Sequence, residues 1–225
     1  MPYDLFFLYL QYIGCGSAIQ NQEQSFCFCN AFAFHYIREM KNRTIKNKKV
    51  GIMLNKKVEE ALNAQINAEM WSAYLYLSMA AYCHAEGQPG MAKWFEVQFQ
   101  EEQDHAKILF NYINSRNGRV ELKAIDEVPT KWDSILDVFK STLKHEQKVT
   151  GMINDLYALT HEQNDFATQS MLKWFIDEQV EEEETAQTII DNIKMIKDNG
   201  YGIYMLDKEL GARTYTQAAP LNGSL

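Results

Sequence analysis

Four long segments of the chain repeat apolar residues at spacings of three and four positions, which is the period of a helix that buries one face. The apolar stripes begin at Leu62, Met91, Ile135 and Leu172. We expect the helices themselves to begin near Asn55, Pro89, Lys131 and Asn164. The pattern therefore predicts four long amphipathic helices.

The segments between the stripes indicate how these helices connect. Pro89 follows Gly87 in a tight turn and is placed to start a helix, so the first two helices form an antiparallel hairpin. Residues 117–130 show no helical period, and about 14 extended residues reach roughly 46 Å, enough to cross back over a helix of about 28 residues. The connection at 160–165 is short, and residues 202–210 predict one further helix. The predicted fold is all-α: a four-helix bundle with a long crossover between the second and third helices and a short fifth C-terminal helix.

A glutamate interrupts each apolar stripe near the middle of its helix. These residues are Glu69, Glu102, Glu146 and Glu182. Burying a single carboxylate costs several kcal/mol unless a proton or a cation neutralises it. A slightly misphased stripe explains one such residue, but coincidence across four helices is a poor explanation. Because the midpoints of antiparallel helices share one height, the four carboxylates can meet in one plane and predict a metal site.

The ligand types narrow the choice of metal. Glu102 and His105 are three positions apart, so they lie on one helix face and can bind one ion together. Carboxylates with one imidazole and no thiolate favour iron or manganese over zinc or copper. Di-iron bundles take a Glu from each of two helices and a Glu-x-x-His pair from each of the other two. Glu69 and Glu146 match the single ligands, but Glu182 has no histidine partner, which predicts one metal position with weaker, oxygen-only ligation.

Composition and charge narrow the function classes. The 225 residues carry a formal net charge of −8, and the pI is about 5.2, so binding of nucleic acid through a basic surface is excluded. Residues 1–52 carry six basic and three acidic groups, or +3, and the rest carries 16 and 27, or −11. An acidic helical domain suits a protein that attracts cations. No paired C-x-x-C motif is present.

Residues 1–52 differ from the rest of the chain, because they are rich in Phe, Tyr and Cys and lack a sustained helical period. A secretory signal is one interpretation, since residues 5–13 are apolar. Asp4 precedes that apolar segment and no basic residue does, which is atypical of a signal. We favour the interpretation that Met53 is the working start and that the preceding residues are disordered or absent from the mature protein.

Several short motifs together resemble those of the bacterial non-haem ferritins. They are Met-Leu-Asn-Lys at 53–56, Gln-Ile-Asn-Ala-Glu at 65–69, Gln-Glu-Glu-Gln-Asp-His at 100–105, Lys-His-Glu-Gln at 144–147 and Glu-Gln-Val-Glu-Glu-Glu at 178–183. The resemblance covers residues 53–211. It implies a division into an N-terminal extension at 1–52, a ferritin-like domain at 53–211 and a flexible tail at 212–225. It also implies assembly into a hollow cage of 24 subunits.

The resemblance further implies specific ligand roles. Glu69, Glu102 and His105 would hold a first iron. Glu102, as a bridge, would hold a second iron together with Glu146 and Glu182, and Gln179 would lie nearby.

A third iron site of prokaryotic ferritins is matched by Glu101, Glu178 and Glu181, with Glu182 shared. A solvated acidic face is the alternative explanation for these residues.

Tyr76 and Trp174 match aromatic residues beside the centre and are candidate electron donors, with simple packing as the alternative. His145 lies off the stripe and is expected on a solvated face.

The implied function is iron storage with ferroxidase activity. Fe(II) would be oxidised by O2 or hydrogen peroxide at an intrasubunit di-iron centre, and Fe(III) would be deposited as a ferric oxide mineral inside the cage. The expected metal is iron without haem, and the expected location is the cytoplasm. The expected partners are further copies of the chain, with neither nucleic acid nor membrane.

Other functions fit less well. A haem-bearing bacterioferritin commonly has an axial methionine just after the second-helix ligand, where this chain has Gln103. A rubrerythrin-like peroxidase would carry a C-x-x-C module, and Cys27-x-Cys29 has neither that spacing nor a partner. DNA-protecting mini-ferritins lack a fifth helix, and a purely structural bundle leaves the central carboxylates unexplained. A ferritin that stores metal but oxidises it slowly remains an alternative, and oxygen uptake on addition of Fe(II) distinguishes it.

Overall fold

The computed structural model describes residues 54–223, so the predictions about residues 1–52 and a start at Met53 lie outside the described residues. This part of the chain forms six helices and no strand. The helices are α1 (Lys56–Ala85), α2 (Pro89–Ser115), α3 (Ile135–Glu162), α4 (Phe166–Ile196), α5 (Gly200–Leu210) and α6 (Ala219–Asn222). The predicted all-α fold, with its long crossover and short fifth helix, is confirmed.

Three of the four predicted helix starts are confirmed by their local chemistry. The Asn55 side chain accepts a hydrogen bond of 2.9 Å from the backbone N–H of Lys57 and so caps α1. Pro89 occupies the first turn of α2, where its missing N–H has no intrahelical partner to lose. Asp165 caps α4 by accepting from the backbone N–H of Thr168 at 3.1 Å.

The third helix begins later than predicted. It starts at Ile135, and Ser134 caps it by accepting from the backbone N–H of Asp137 at 3.2 Å. Lys131 belongs to the crossover, because the neighbouring Trp132 ring packs against the ring of Tyr82, with centroids 5.4 Å apart. The crossover therefore extends to the residue before α3.

The crossover runs alongside α1 and is attached to it by hydrogen bonds. The Asn63 side chain donates to the carbonyl of Arg119 at 2.9 Å and accepts from the backbone N–H of Glu121 at 2.7 Å. Further along, the Ser78 hydroxyl donates to the carbonyl of Pro129 at 2.6 Å. These bonds satisfy backbone groups that the non-helical segment would otherwise leave unpaired.

The bundle is held by two apolar clusters and a polar layer. In the bundle α1 packs against α2, α3 against α4, and α1 also contacts α3. One cluster is centred on Tyr76, Phe95 and Phe139, and the other on Leu62, Leu109 and Phe175. On each of the four long helices the central glutamate lies, in sequence, between the two clusters. The fold therefore brings the carboxylates into the middle of the bundle.

The short helix α5 packs on the start of α2 and also contacts α4. A Cβ atom on Gly90 would lie 1.7 Å from the carbonyl oxygen of Asp207, so only glycine permits this approach. The buried Asp207 carboxylate accepts from the backbone N–H of Met91 at 2.8 Å. None of the helices between residues 54 and 223 has the length and apolar content of a membrane span.

Candidate metal centre

The four central glutamates are buried, and each comes from a different long helix. The most exposed of them, Glu182, shows 7% of its surface. His105 on α2 and Gln179 on α4 are buried as well. The prediction that the stripe positions place these carboxylates inside the bundle is confirmed, whereas their roles as ligands stay predictions.

The residues proposed for a first metal ion form a tight group. One ligand atom from each of Glu69, Glu102 and His105 lies within 4.8 Å of the others. The Oε2 atoms of both glutamates are buried and have no hydrogen-bond partner. His105 Nδ1 lies 3.3 Å from Glu102 Oε2. Since an unpaired buried carboxylate oxygen destabilises a protein, and a bound cation would remove that penalty, this donor set fits a metal ion.

Hydrogen bonds orient the remaining two central carboxylates. Glu146 accepts from the Tyr76 hydroxyl and from Gln179 Nε2, the latter at 3.1 Å. Glu182 accepts from Gln98 Nε2 at 2.8 Å. Each of the two carboxylates therefore points in a fixed direction inside the bundle.

The carboxylates behave electrostatically as one cluster. Burial, followed by the charge of Glu102, raises the pKa of Glu69 to about 8. Burial is also the first cause that raises the pKa of Glu146, and the charge of Glu182 is the second. Without a cation these groups are therefore stabilised by protons, and metal ions can take the place of those protons.

The imidazole of His105 shares this environment. Burial disfavours its charged form, but the adjacent Glu102 carboxylate, 3.3 Å from Nδ1, and the charge of Glu69 outweigh burial and raise the pKa of His105. A metal ion would bind the neutral imidazole, so ion binding at this position is coupled to loss of a proton.

The residues of the predicted third iron site lie at the border of this cluster. Glu101 and Glu178 are partly buried, and Glu181 is exposed. Burial raises the pKa of Glu101 to about 7, and the charges of Glu182 and Glu178 add to that rise while Arg213 opposes it. Burial also raises the pKa of Glu178, with a further rise from Glu181. The four acidic groups therefore influence one another, although the Glu101 carboxylate is engaged by Arg213 Nη2 at 2.7 Å.

Both candidate electron donors lie beside the central cluster. Tyr76 is fully buried and donates its hydroxyl proton to Glu146. The Trp174 ring meets the His105 ring edge-on, with centroids 5.4 Å apart. Each aromatic residue thus contacts one of the candidate ligands directly.

Sequence reasoning missed three polar residues near the centre. Gln98 is fully buried, and its place within the second apolar stripe was the signal that could have assigned it a role. Arg213 lies in a segment expected to be flexible, and no pattern links it to α2. The expectation of a solvated His145 is wrong, because this side chain is half-buried, and its Nε2 lies 2.7 Å from Ser72 Oγ.

Comparison with protein families gives a match to the family described as "Ferritin-like domain", over residues 59–196. Two curated relatives are both described as bacterial non-heme ferritin. The one from Staphylococcus aureus (strain USA300) is 42% identical over 165 residues, which is 73% of this chain and 99% of the relative. The one from Bacteroides fragilis (strain 638R) is 44% identical over 161 residues, which is 72% of this chain and 100% of the relative.

Solved structures similar to this chain include an open pore ferritin from the hyperthermophilic archaeon Archaeoglobus fulgidus. It has a TM-score of 0.71 and 44% sequence identity, and the match covers 72% of this chain and 98% of that chain. An engineered closed form of the Archaeoglobus fulgidus ferritin has a TM-score of 0.72 at 44% identity, covering 72% and 99%. The segment that matches the family, 59–196, contains all candidate ligands named above.

Proposed function

The chain belongs to the ferritin-like domain family, and from that membership we propose that it stores iron by oxidising Fe(II) at an intrasubunit di-iron ferroxidase centre. The Fe(III) product is deposited as ferric oxide inside a cage of subunits. The observation that carries this proposal is the buried group of Glu69, Glu102 and His105, in which two carboxylate oxygens have no hydrogen-bond partner.

Two Fe(II) ions bind as substrates in the proposed centre. Glu69, Glu102 and His105 hold the first ion. Glu102 bridges to the second ion, which Glu146 and Glu182 also hold. Gln179 stays beside the second position, where its amide donates to Glu146 at 3.1 Å.

The proposed reaction moves one electron from each Fe(II). With O2 as oxidant, two electrons and two protons give hydrogen peroxide; with hydrogen peroxide, the same numbers give two molecules of water. The clustered carboxylate charges favour Fe(III) over Fe(II), because Coulomb attraction grows with the charge of the ion. The second position lacks an imidazole, so it binds its ion more weakly and releases it towards the mineral.

A third iron binds, in this proposal, between Glu101, Glu178 and Glu181, with Glu182 shared. Support comes from the mutual electrostatic influence of Glu101, Glu178 and Glu182. Because Arg213 donates to Glu101 Oε2 at 2.7 Å, an ion at this site shares the Glu101 carboxylate with the guanidinium group.

The proposed assembly is a homo-oligomeric cage of 24 subunits in the cytoplasm. The similarity to ferritins over nearly their whole length supports the cage. Large apolar side chains on α1 and the crossover provide surface for subunit contacts: Tyr74 is 52% exposed, Leu77 40% and Leu122 71%.

Replacement of the bridging residue tests the proposed function. We expect Glu102→Ala to slow the fast phase of Fe(II) oxidation by more than roughly 100-fold. Substitution of a residue that only orients a metal ligand typically costs up to about 100-fold, and Glu102 is itself a proposed ligand. Helix content and assembly should persist, since alanine is favourable in a helix. The measurement is stopped-flow oxidation of Fe(II) with parallel oxygen uptake.

Glu184→Ala is the matched control, because Glu184 is an exposed acidic residue on α4. This variant should oxidise Fe(II) at the wild-type rate. An unchanged initial rate in Glu102→Ala would remove the bridging role. A wild-type protein that accumulates iron with hardly any oxygen uptake would instead support a storage protein without fast oxidation.

A further inference from the structure

The segment after α5 returns to α2 and places Arg213 beside the central cluster. Arg213 Nη2 donates to Glu101 Oε2 at 2.7 Å, and Arg213 Nη1 donates to Gln98 Oε1. The guanidinium carbon also lies 4.9 Å from the centroid of the Trp94 ring. A planar group with several donors can make these three contacts at once, which an ammonium group cannot.

Two further contacts hold this segment on α2. The Tyr215 hydroxyl donates to Asp104 Oδ2 at 2.7 Å, and the backbone N–H of Ala218 donates to the same oxygen at 2.9 Å. Asp104 is buried and directly precedes His105 in α2. These contacts fix the path of the segment and thereby the position of Arg213.

The amide of Gln98 connects Arg213 to a candidate ligand. Arginine has donors and no acceptor, so the Gln98 amide must turn its oxygen towards Arg213. Its nitrogen then faces Glu182 and donates to Glu182 Oε2 at 2.8 Å. In the opposite orientation the amide oxygen would face a carboxylate oxygen, and no hydrogen bond would form. Gln98 is fully buried, so its amide is paired by these two protein contacts.

We propose that Arg213 is a positioning residue of the metal centre, which acts from the C-terminal segment through the amide of Gln98 to hold the Glu182 carboxylate in place for the second iron. The inference rests on the proposed function, because Glu182 needs a fixed direction only if it binds a metal ion. It assigns a role to a residue outside the four long helices.

Groups that orient metal ligands typically contribute about 10- to 100-fold in metal affinity. Loss of the Arg213 contacts should therefore raise the dissociation constant of the second metal position about tenfold and change that of the first by less than about twofold. Removal of a positive charge alone would act in the opposite direction, since it strengthens the attraction between cations and the remaining carboxylates. The two effects therefore differ in sign at the second position.

The test is titration of the assembled protein with Co(II) under argon, followed by calorimetry and by the visible absorption of the bound ion. Arg213→Met keeps the length of the side chain and removes its donors. Arg213→Lys keeps the charge and removes the planar fork. In both variants we expect the ratio of the second to the first dissociation constant to rise about tenfold, with an altered absorption spectrum at the second step.

Two comparisons isolate the path through Gln98. Gln98→Leu should raise the same ratio by a similar factor, and adding Arg213→Met to it should cause no further rise, because residues that act through one contact are not additive. Arg119→Met is the matched control, since Arg119 is an exposed arginine of the crossover paired with Glu121. It should leave both steps unchanged.

An unchanged or lowered ratio in Arg213→Lys would overturn the inference, as would ratios that multiply in the double variant. Circular dichroism checks the fold, and if Arg213→Met loses helix content, Arg213→Lys decides alone. The wild type separates this inference from the proposed function. Absence of two-step Co(II) binding in the wild type would overturn both, whereas two-step binding that Arg213→Lys leaves unchanged would overturn the inference alone.

Discussion

Glu69 and Glu102 each keep one buried carboxylate oxygen without a hydrogen-bond donor, in a bundle whose other central carboxylates are well hydrogen-bonded. Their positions followed from the helical period, because a glutamate in phase with an apolar stripe must enter the bundle. The partners that orient the carboxylates did not follow from it. Gln98 carried a signal, as a polar residue inside a stripe, but Arg213 reaches the centre through the path of the chain after α5, which no local pattern encodes.

Substitutions of single residues can separate the proposed third iron site from the proposed primary centre. Glu178→Ala or Glu181→Ala should slow later turnover or change the iron oxidised per O2, while binding of two ions persists. The physical reason is that both residues lie at the border of the cluster, where Glu178 is partly buried and Glu181 exposed. Oxygen uptake over repeated Fe(II) additions gives the measurement, with Glu184→Ala as the control. Loss of all ion binding would show that these residues belong to the primary centre.

At the scale of the elements, the helix starts were predictable wherever a capping side chain or a proline stands at the boundary, as at Asn55, Pro89 and Asp165. For α3 the predicted start at Lys131 is wrong, because the helix begins at Ile135. In the sequence, the helical spacing of residues can continue beyond the boundary of the helix itself. The crossover is held by the packing of Trp132 against Tyr82, which is a tertiary contact that the spacing does not show. The short α6 and the contacts of Arg213 and Tyr215 with α2 arise in the same way, from packing between distant segments.

Asp165 links the start of α4 to Arg116 at the end of α2, and we expect it to stabilise the protein. It caps α4 and forms an ion pair with Arg116 at 3.1 Å. Burial would raise its pKa, but hydrogen bonds from Thr168 and Arg116 outweigh burial and lower the pKa of Asp165 below its ordinary value of 3.8. We expect Asp165→Ala to lower the free energy of unfolding at pH 7 by about 1–2 kcal/mol, mainly through loss of the cap.

The sign of the pH dependence follows from the lowered pKa. The contribution of Asp165 is fully present above the ordinary value of 3.8 and is lost as the pH falls through the lower folded-state value. Thermal unfolding of the wild type and Asp165→Ala should therefore differ at neutral pH and converge in acid. Asp155→Ala, at an exposed position on α3, is the control. A constant difference down to the lowest accessible pH would show that the charge of Asp165 contributes little.

In the whole molecule, all candidate ligands lie between Glu69 and Glu182 in the sequence, and among the described residues two apolar clusters join the four long helices. A chain that begins at Met53 should therefore fold, assemble and oxidise Fe(II) like the full chain, because residues 1–52 supply no candidate ligand and no periodic apolar face. Mass photometry should give about 24 subunits for both chains, and stopped-flow oxidation should give equal rates. An insoluble or unassembled shorter chain would show that the proposed domain boundary is wrong.

We propose that the buried carboxylates of the four long helices bind two iron ions side by side. Crystals of the protein soaked anaerobically in Fe(II) and measured at the iron absorption edge provide the test, because anomalous scattering locates iron without any assumption about the ligands. We expect one peak among Glu69, Glu102 and His105 and a second among Glu102, Glu146 and Glu182, with the second less occupied. Crystals that oxidise or accumulate iron while showing no anomalous peak among these residues would contradict it.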